Sequence, residues 1–519
     1  MLEITTPRLV FVLAAALLAP RGSAAQRVMA PPRIEIDTLS IRYDTRVLSH
    51  DSMRGRATGE RGSRLAAAYI VERLRAMGLS PAAGAGYLQP VPLRQARLQP
   101  ESRLWLHTGR DSVTFLPGID FVPASGTASA FRKFAGPAIF AGVGANAAVA
   151  LRDVDVAGHV IVLAGPLAEN ADSLVRAWTA ARAAGLLLLI TDPDVLQAIA
   201  LNLGADRFFV DADVDEPTWQ NPLPALYAGG TVARMLLAGT SIPDAAIRGD
   251  AFQALPLRWN VDARTAVATD DVDGSNIVAL VPGSDPRLRD EYVLFTAHYD
   301  HLGVGPPENG DSIYNGFSDN AAGVAMLLAM AEHTRREPAA RSVAFAFFTG
   351  EERGLLGSSF FAAFPTLPLE RVRAVINLDG GAPPVPPISW RIAGGVGTDL
   401  GRLAETVAIR NGWTADLTAT RANSDHWPFL ARGVPAIFVI PGNDWENTTA
   451  AQRDSLRERF DHYHRPADEW REDYPFSGLQ RYAAYTLAIG LMVANAENQD
   501  ETGDETEDET GNETGDETE

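Results

Sequence analysis

The stretch SVAFAFFTGEE, residues 342–352, opens with an almost unbroken apolar run and stops at a glycine that releases two glutamates. A strand with one wet face alternates polar and apolar residues, so a run without alternation belongs to a strand buried on both sides. Working outward, similar runs occur at Asn276–Leu280, Tyr292–Thr296, Ala374–Leu378 and Pro435–Val439. Helical patterns lie between and after them at Asn320–Arg335, Leu400–Arg410 and Gly478–Asn495. This alternation predicts an α/β fold with a mixed, mostly parallel central sheet flanked by helices.

In such sheets ligands gather at the carboxyl ends of the strands. His298 and Asp300 follow the run ending at Thr296, Glu351 and Glu352 follow Phe348, and Asp379 follows Leu378. Asp319 directly precedes the helix expected from Asn320, where the positive end of the helix dipole favours a carboxylate. Acidic and imidazole groups released onto one edge repel one another unless cations are bound there.

Composition removes several other classes. The 519 residues suggest two to four structural units, and 46% hydrophobic with 21% charged residues is ordinary for a globular chain. Ten carboxylates and no basic residue fill positions 501–519, so a formal charge of −10 remains on the rest. An acidic body without a basic stripe argues against nucleic acid as a partner. There is no cysteine, so a metal must be held by His and carboxylates. Lys133 is the single lysine, which excludes a phosphate-binding Gly-Lys loop, and neither H-E-x-x-H nor G-x-S-x-G occurs. Gly395-Val396-Gly397 lacks the third glycine of a dinucleotide loop and reads as a turn.

The N-terminus reads as an address. Arg8, the apolar run Leu9–Ala19 and the small residues Ser23-Ala24-Ala25 form an expected signal peptide over residues 1–25, too short to span a bilayer. The expected location is therefore exported, periplasmic or secreted, without stable membrane insertion after cleavage; the alternative is an uncleaved anchor. Residues 26–116 read as the N-terminal part of a catalytic domain, with helices over Ile34–Leu48 and Ser63–Met77. Residues 117–262 carry short apolar runs between glycine turns and read as an inserted β-rich unit. Residues 263–497 hold the strand-loop-helix repeat, and 498–519 is an acidic tail with no apolar group to bury, expected to be disordered.

The strings HYDHLG at His298, SDNAAG at Ser318, FFTGEERGLLGS at Phe347, NLDG at Asn377, SDHWPF at Ser424 and HYHRPADE at His462 together resemble one family. It is the co-catalytic zinc exopeptidases of metallopeptidase family twenty-eight, which includes bacterial leucyl aminopeptidase, aminopeptidase Y and glutamate carboxypeptidase. The resemblance covers residues 33 to 115 and 263 to 490, and the insert looks like a protease-associated domain. It implies two zinc ions, one held by His298 and Asp379, the other by Glu352 and His464, with Asp319 bridging. It implies Glu351 as the base that deprotonates the shared water, and a cis peptide at Asp319-Asn320. Asp300 and Asp468 are placed to accept the second ring N–H of the two histidines. Asp425 and His426 are candidates for a place near the substrate, with a structural role as the alternative; His301 and His333 read as solvent-facing or outer residues. Three departures from the family stand out: Ser318 stands where an acidic residue is common, Gly380-Gly381 where Met or Ile is frequent, and Arg465 lies inside the last motif.

The expected activity is removal of residues from peptide or protein N-termini. The alternatives are a glutaminyl cyclase or a carboxypeptidase of the same fold, or an inactive receptor or binding module. Oligomeric state is not legible.

Overall fold

The computed structural model describes residues 34–123, 133–144, 147–165, 172–192, 195–196, 206–212, 223–242, 252–420 and 422–497. The expected leader, 1–25, and the acidic tail, 498–519, lie outside the described residues.

A nine-stranded mixed sheet forms the centre, in the order Ser80–Pro81, Ser275–Val281, Ser342–Phe348, Tyr292–His298, Val372–Asn377, Ala436–Pro441, Ser389–Ala393 and Thr414–Thr418. Leu88–Pro90 also pairs with Ser275–Val281. The four middle strands are parallel, and antiparallel pairings flank them on both sides. His298 lies opposite Phe348 and Thr296 opposite Asn377, so three strands end in step on one edge.

Alternation along each strand divides the core into two layers. Val293, Phe295 and Ala297 face one side with the helices Thr38–Leu48, Arg61–Met77, Ala322–Arg336, Asp399–Arg410 and Ser477–Ala494. Leu294, Ala344, Ala346 and Phe348 face the other, against Phe361 and Phe429. Both faces are dry, which is why these segments read as continuous apolar runs.

Four strands of this sheet, Ser80–Pro81, Leu88–Pro90, Ser389–Ala393 and Thr414–Thr418, were not expected from sequence. Thr414–Thr418 is the sheet's outer strand and alternates exposed with half-buried residues, so it carries no apolar run. The Asn320 helix also starts later, at Ala322. Asn320 Oδ1 accepts the N–H of Gly323 at 3.1 Å, so Asn320 rather than Asp319 satisfies a free donor of the first turn. Asp319 is thereby left in the irregular turn Phe317–Ala321, outside the helix.

A second sheet of eight strands runs Ser112–Phe115, Arg103–His107, Leu255–Arg264, Phe134–Val143, Val160–Ala164, Gly185–Ile190, Ala225–Gly229 and Phe121–Pro123. It has its own apolar layers on both faces. It takes in residues 103–115, which the sequence reading places ahead of the insert. A small third sheet joins Asp206–Val210 to Leu93–Leu98 and Val267–Val272. Phe208 and Val210 of this sheet pack with Leu356 of the helix Leu356–Ala363. The Arg353 guanidinium lies over the Phe208 ring at 5.2 Å. Among the described residues no helix is long and apolar enough to cross a membrane.

Candidate metal centre

His298 ends its strand, and its Nε2 meets Asp379 Oδ1 at 2.9 Å and Asp319 Oδ1 at 3.2 Å. Asp379 lies two residues beyond the neighbouring strand, and Asp319 arrives from the irregular turn. The other oxygen of Asp319 faces a second group: His464 Nε2 at 2.9 Å and His301 Nδ1 at 3.6 Å. Glu352 completes it, with Oε1 at 2.7 Å from His301 Nδ1 and Oε2 at 3.5 Å from His464 Nε2. Within each of the two groups, one donor atom from every residue lies within 4.8 Å of the others, and Asp319 belongs to both. Glu351 also comes within that distance of His298 and Glu352; its Oε2 is 4.0 Å from His298 Nε2.

The five sequence-derived candidates for metal ligands are thus brought together. His301, expected to face solvent or lie outside, is fully buried against Glu352 and Asp319. Its ring packs on Gly316, where a Cβ would come within 2.5 Å of His301 Cδ2. His333 is buried as well.

Two expected pairings are replaced. The His298 Nδ1 contact is to the backbone carbonyl of Asp300 at 3.2 Å, while the carboxylate stands 3.8 Å away. The Asp300 carboxylate instead accepts the Thr58 hydroxyl at 2.7 Å and the Glu351 N–H at 3.2 Å, so it shapes the glutamate loop. Asp468 does not meet His464; it accepts the backbone N–H groups of Ser318 and Asp319 at 3.0 and 3.3 Å, holding the turn that carries Asp319. Spacing along the chain suggested the partners, but the His464 ring meets Asp319 and Glu352, which lie far from it in the chain.

Asp425 is fully buried, and Ser358 is its hydrogen-bonding neighbour. Burial pushes its pKa up to about 7. His426 points its Nε2 at Thr420 Oγ1, 2.6 Å away, and burial lowers its pKa to about 4. Arg465 faces Glu308 at 3.1 Å.

Sequence reasoning missed a chain of side chains behind Asp379. The Ser424 hydroxyl donates to Asp379 Oδ2 and accepts from Asn377 Nδ2 at 2.7 Å, and Asn377 Oδ1 accepts the Thr296 hydroxyl at 2.7 Å. Ser424 and Asn377 stand first in two of the quoted strings, so their place in those motifs was the available signal.

The charges of the cluster are unbalanced. Burial opposes a charge on His464, yet hydrogen bonds to Asp319 and Glu352 outweigh it and push the pKa up to about 10. Burial likewise disfavours charge on His298, and the carboxylates of Asp379 and Glu351 nevertheless hold its pKa well above the ordinary value. Burial, with Asp379, Glu352 and Asp425 nearby, raises Glu351 despite the opposing pull of His298. The imidazoles are thus driven to carry positive charge among the carboxylates, the place a cation takes. His464 Nε2 faces two carboxylate oxygens at once, Asp319 Oδ2 at 2.9 Å and Glu352 Oε2 at 3.5 Å. Nitrogen and carboxylate donors so arranged suit zinc. A cavity of about 130 Å³ is lined by Ser318, the residue before Asp319, with Gly381, Pro383, Trp445, Arg457, Phe460, Asp461 and Tyr463.

Residues 276–489 match Peptidase family M28. This segment is similar to the peptidase domain of that family. The chain is 26% identical over 211 residues to aminopeptidase YwaD of Bacillus subtilis, covering 39% of this chain and 43% of that protein. It is 27% identical over 179 residues to probable leucine aminopeptidase 2 of Aspergillus fumigatus, covering 32% of this chain and 33% of that protein. The chain thus spans less than half the length of the curated relatives it matches. An aminopeptidase structure from Aneurinibacillus sp. strain AM-1 superposes with a TM-score of 0.54 at 17% identity, covering 88% of this chain and 94% of that one. That likeness shows the fold.

Proposed function

We propose that the chain is a zinc-dependent aminopeptidase using two zinc ions. The observation that carries this reading is the sharing of Asp319 between two converging donor groups, with Glu351 beside them. His298 and Asp379 would hold one ion, Glu352 and His464 the other, and Asp319 both. Zinc there supplies Lewis acidity, polarising the scissile carbonyl and making water acidic enough to lose a proton near neutral pH. Glu351 takes that proton on its carboxylate and returns it to the leaving amine. Asp300 holds the Glu351 backbone, so the base enters the site at a set angle. Ser424 fixes one oxygen of Asp379 and leaves the other toward His298. The cavity that begins at Ser318, next to Asp319 in the chain, has apolar walls at Trp445, Leu456 and Phe460 and charged groups at Arg457 and Asp461, and receives the side chain of the first residue.

The two curated relatives are named aminopeptidases, which supports N-terminal rather than C-terminal removal. The eight-stranded unit, in this reading a protease-associated-like insert, supplies no ligand. The 1–25 segment directs export. The test is metal content of the purified protein together with turnover of amino-acyl amides, N-blocked peptides and N-terminal glutaminyl peptides. Two zinc per chain with cleavage of free but not blocked N-termini is expected. One zinc with glutaminyl cyclisation, or no bound zinc, would refute the reading.

A further inference from the structure

Arg56 is among the largest fully buried side chains of the molecule, 1% exposed, and the zinc reading leaves it without a role. Among the described residues its guanidinium touches no carboxylate. Nε donates to the carbonyl of Tyr299 at 2.9 Å. Nη1 donates to Leu48 at 2.8 Å and Asn315 at 2.7 Å. Nη2 donates to Gly316 at 2.9 Å and Asp319 at 3.4 Å. These contacts engage every N–H a guanidinium has. Four of the five acceptors lie in the two loops that carry His298, His301 and Asp319. The same segment holds these loops twice more: the Arg56 carbonyl accepts the His301 N–H at 3.2 Å, and the Thr58 hydroxyl reaches Asp300.

A buried cation with only carbonyl partners still needs opposite charge. Burial lowers the pKa of Arg56 to about 10, and the charges that oppose this are Asp319, Asp468, Asp300 and Glu352, the acidic cluster itself. The guanidinium therefore sits on the protein side of the carboxylates and takes up part of their excess charge while fixing the backbone beneath them.

We propose that Arg56 is a positioning residue for the metal centre. Its fork of donors locks the turn bearing the bridging Asp319 to the strand end bearing His298, so that the two donor groups form at one spacing. Lysine cannot replace it, because an ammonium has three donors on a flexible stem and cannot span acceptors spread over three segments. This inference rests on the two-zinc reading, and the experiment separates the two.

Arg56→Lys, Arg56→Met and the distant control Arg341→Met are compared with the wild type. Arg341 is also buried, paired with Glu291 at the opposite end of the sheet. Zinc dissociation constants are measured by chelator competition, thermal midpoints on zinc-free protein, and kcat and KM on an amino-acyl amide. Arg56→Lys is expected to weaken zinc binding by about 10- to 100-fold, the range for residues that orient metal ligands, and to lower kcat while KM holds. Arg341→Met is expected to lower the midpoint and leave the zinc constant unchanged. Should Arg56→Met fail to fold, Arg56→Lys, which keeps the charge, carries the test. An Arg56→Lys protein with a lowered midpoint and a wild-type zinc constant would overturn the inference and leave the zinc reading standing. A wild type that binds no zinc would overturn the zinc reading itself.

Discussion

Glu351 and Glu352 are adjacent and chemically identical, yet replacing each by glutamine should break the enzyme in different ways. Glu351 has no nitrogen of the cluster closer than His298 Nε2 at 4.0 Å. Glu352 is held between His301 at 2.7 Å and His464 at 3.5 Å. Glu351→Gln keeps the shape of the site and every expected ligand, so two zinc ions should still bind. It cannot accept a proton, so kcat should fall by about 10²- to 10⁴-fold, equivalent to roughly 2.7–5.4 kcal/mol of barrier. Glu352→Gln keeps an oxygen for His301 but offers an amide NH₂ where a carboxylate oxygen faced His464. One zinc should then bind more weakly, and added zinc should restore part of the activity. Metal analysis with steady-state kinetics across a zinc titration reads both variants. A Glu351→Gln protein that loses one zinc and recovers activity when zinc is added would reverse the assignment of base and ligand.

Ser424→Ala removes the hydroxyl that donates to Asp379 and strands the Asn377 amide; zinc affinity by chelator titration should fall about 10-fold or more, and an unchanged constant would refute the role given to this chain of side chains. Glu291 is held at a pKa of about 2, chiefly by the hydrogen bond from Arg373, with Arg341 assisting and burial opposing. Because this folded value lies below the ordinary 4.5, its contribution to stability is complete above about pH 4.5 and is lost as pH falls towards 2. The gap in urea midpoint between wild type and Glu291→Gln should therefore be widest above pH 4.5 and shrink below it; a gap that widens on acidification would contradict the pairing. Gly490→Ala should gain about 1 kcal/mol of helix propensity but bring a Cβ within 2.2 Å of Phe295 Cζ. Overpacking costs about 1–3 kcal/mol, so the thermal midpoint should drop, and a rise would show that the helix Ser477–Ala494 can shift off the sheet.

Much of the central sheet was legible because its middle strands are dry on both faces, and Ser342–Phe348 shows the same bounds in sequence and structure. Thr414–Thr418 was not, since an outer strand with solvent on it has no apolar run to display. The start of the helix after Asp319 was misplaced because Asn320, a good helix flank in sequence, spends its side chain on the N–H of Gly323 and the carbonyl of Leu378. His301 reads from sequence as solvent-facing or outer, and the choice between the two rests on Gly316 and Glu352, which bury it.

What the sequence by itself determined were properties that local order carries: the α/β class, the strand ends that release His298, Glu351, Glu352 and Asp379, and the motifs that resemble a zinc peptidase. Each follows from residues within a few positions of one another, where periodicity and side-chain chemistry suffice. Tertiary structure alone decided which groups pair. Asp468 turns to the Asp319 backbone rather than to His464, Asp300 to Thr58 and Glu351 rather than to the His298 ring, and Arg56 reaches carbonyls across three segments. Those choices depend on distances between loops that neighbouring strands bring together. Sequence spacing does not encode such distances, because a hydrogen bond is set by where a donor and an acceptor meet in space.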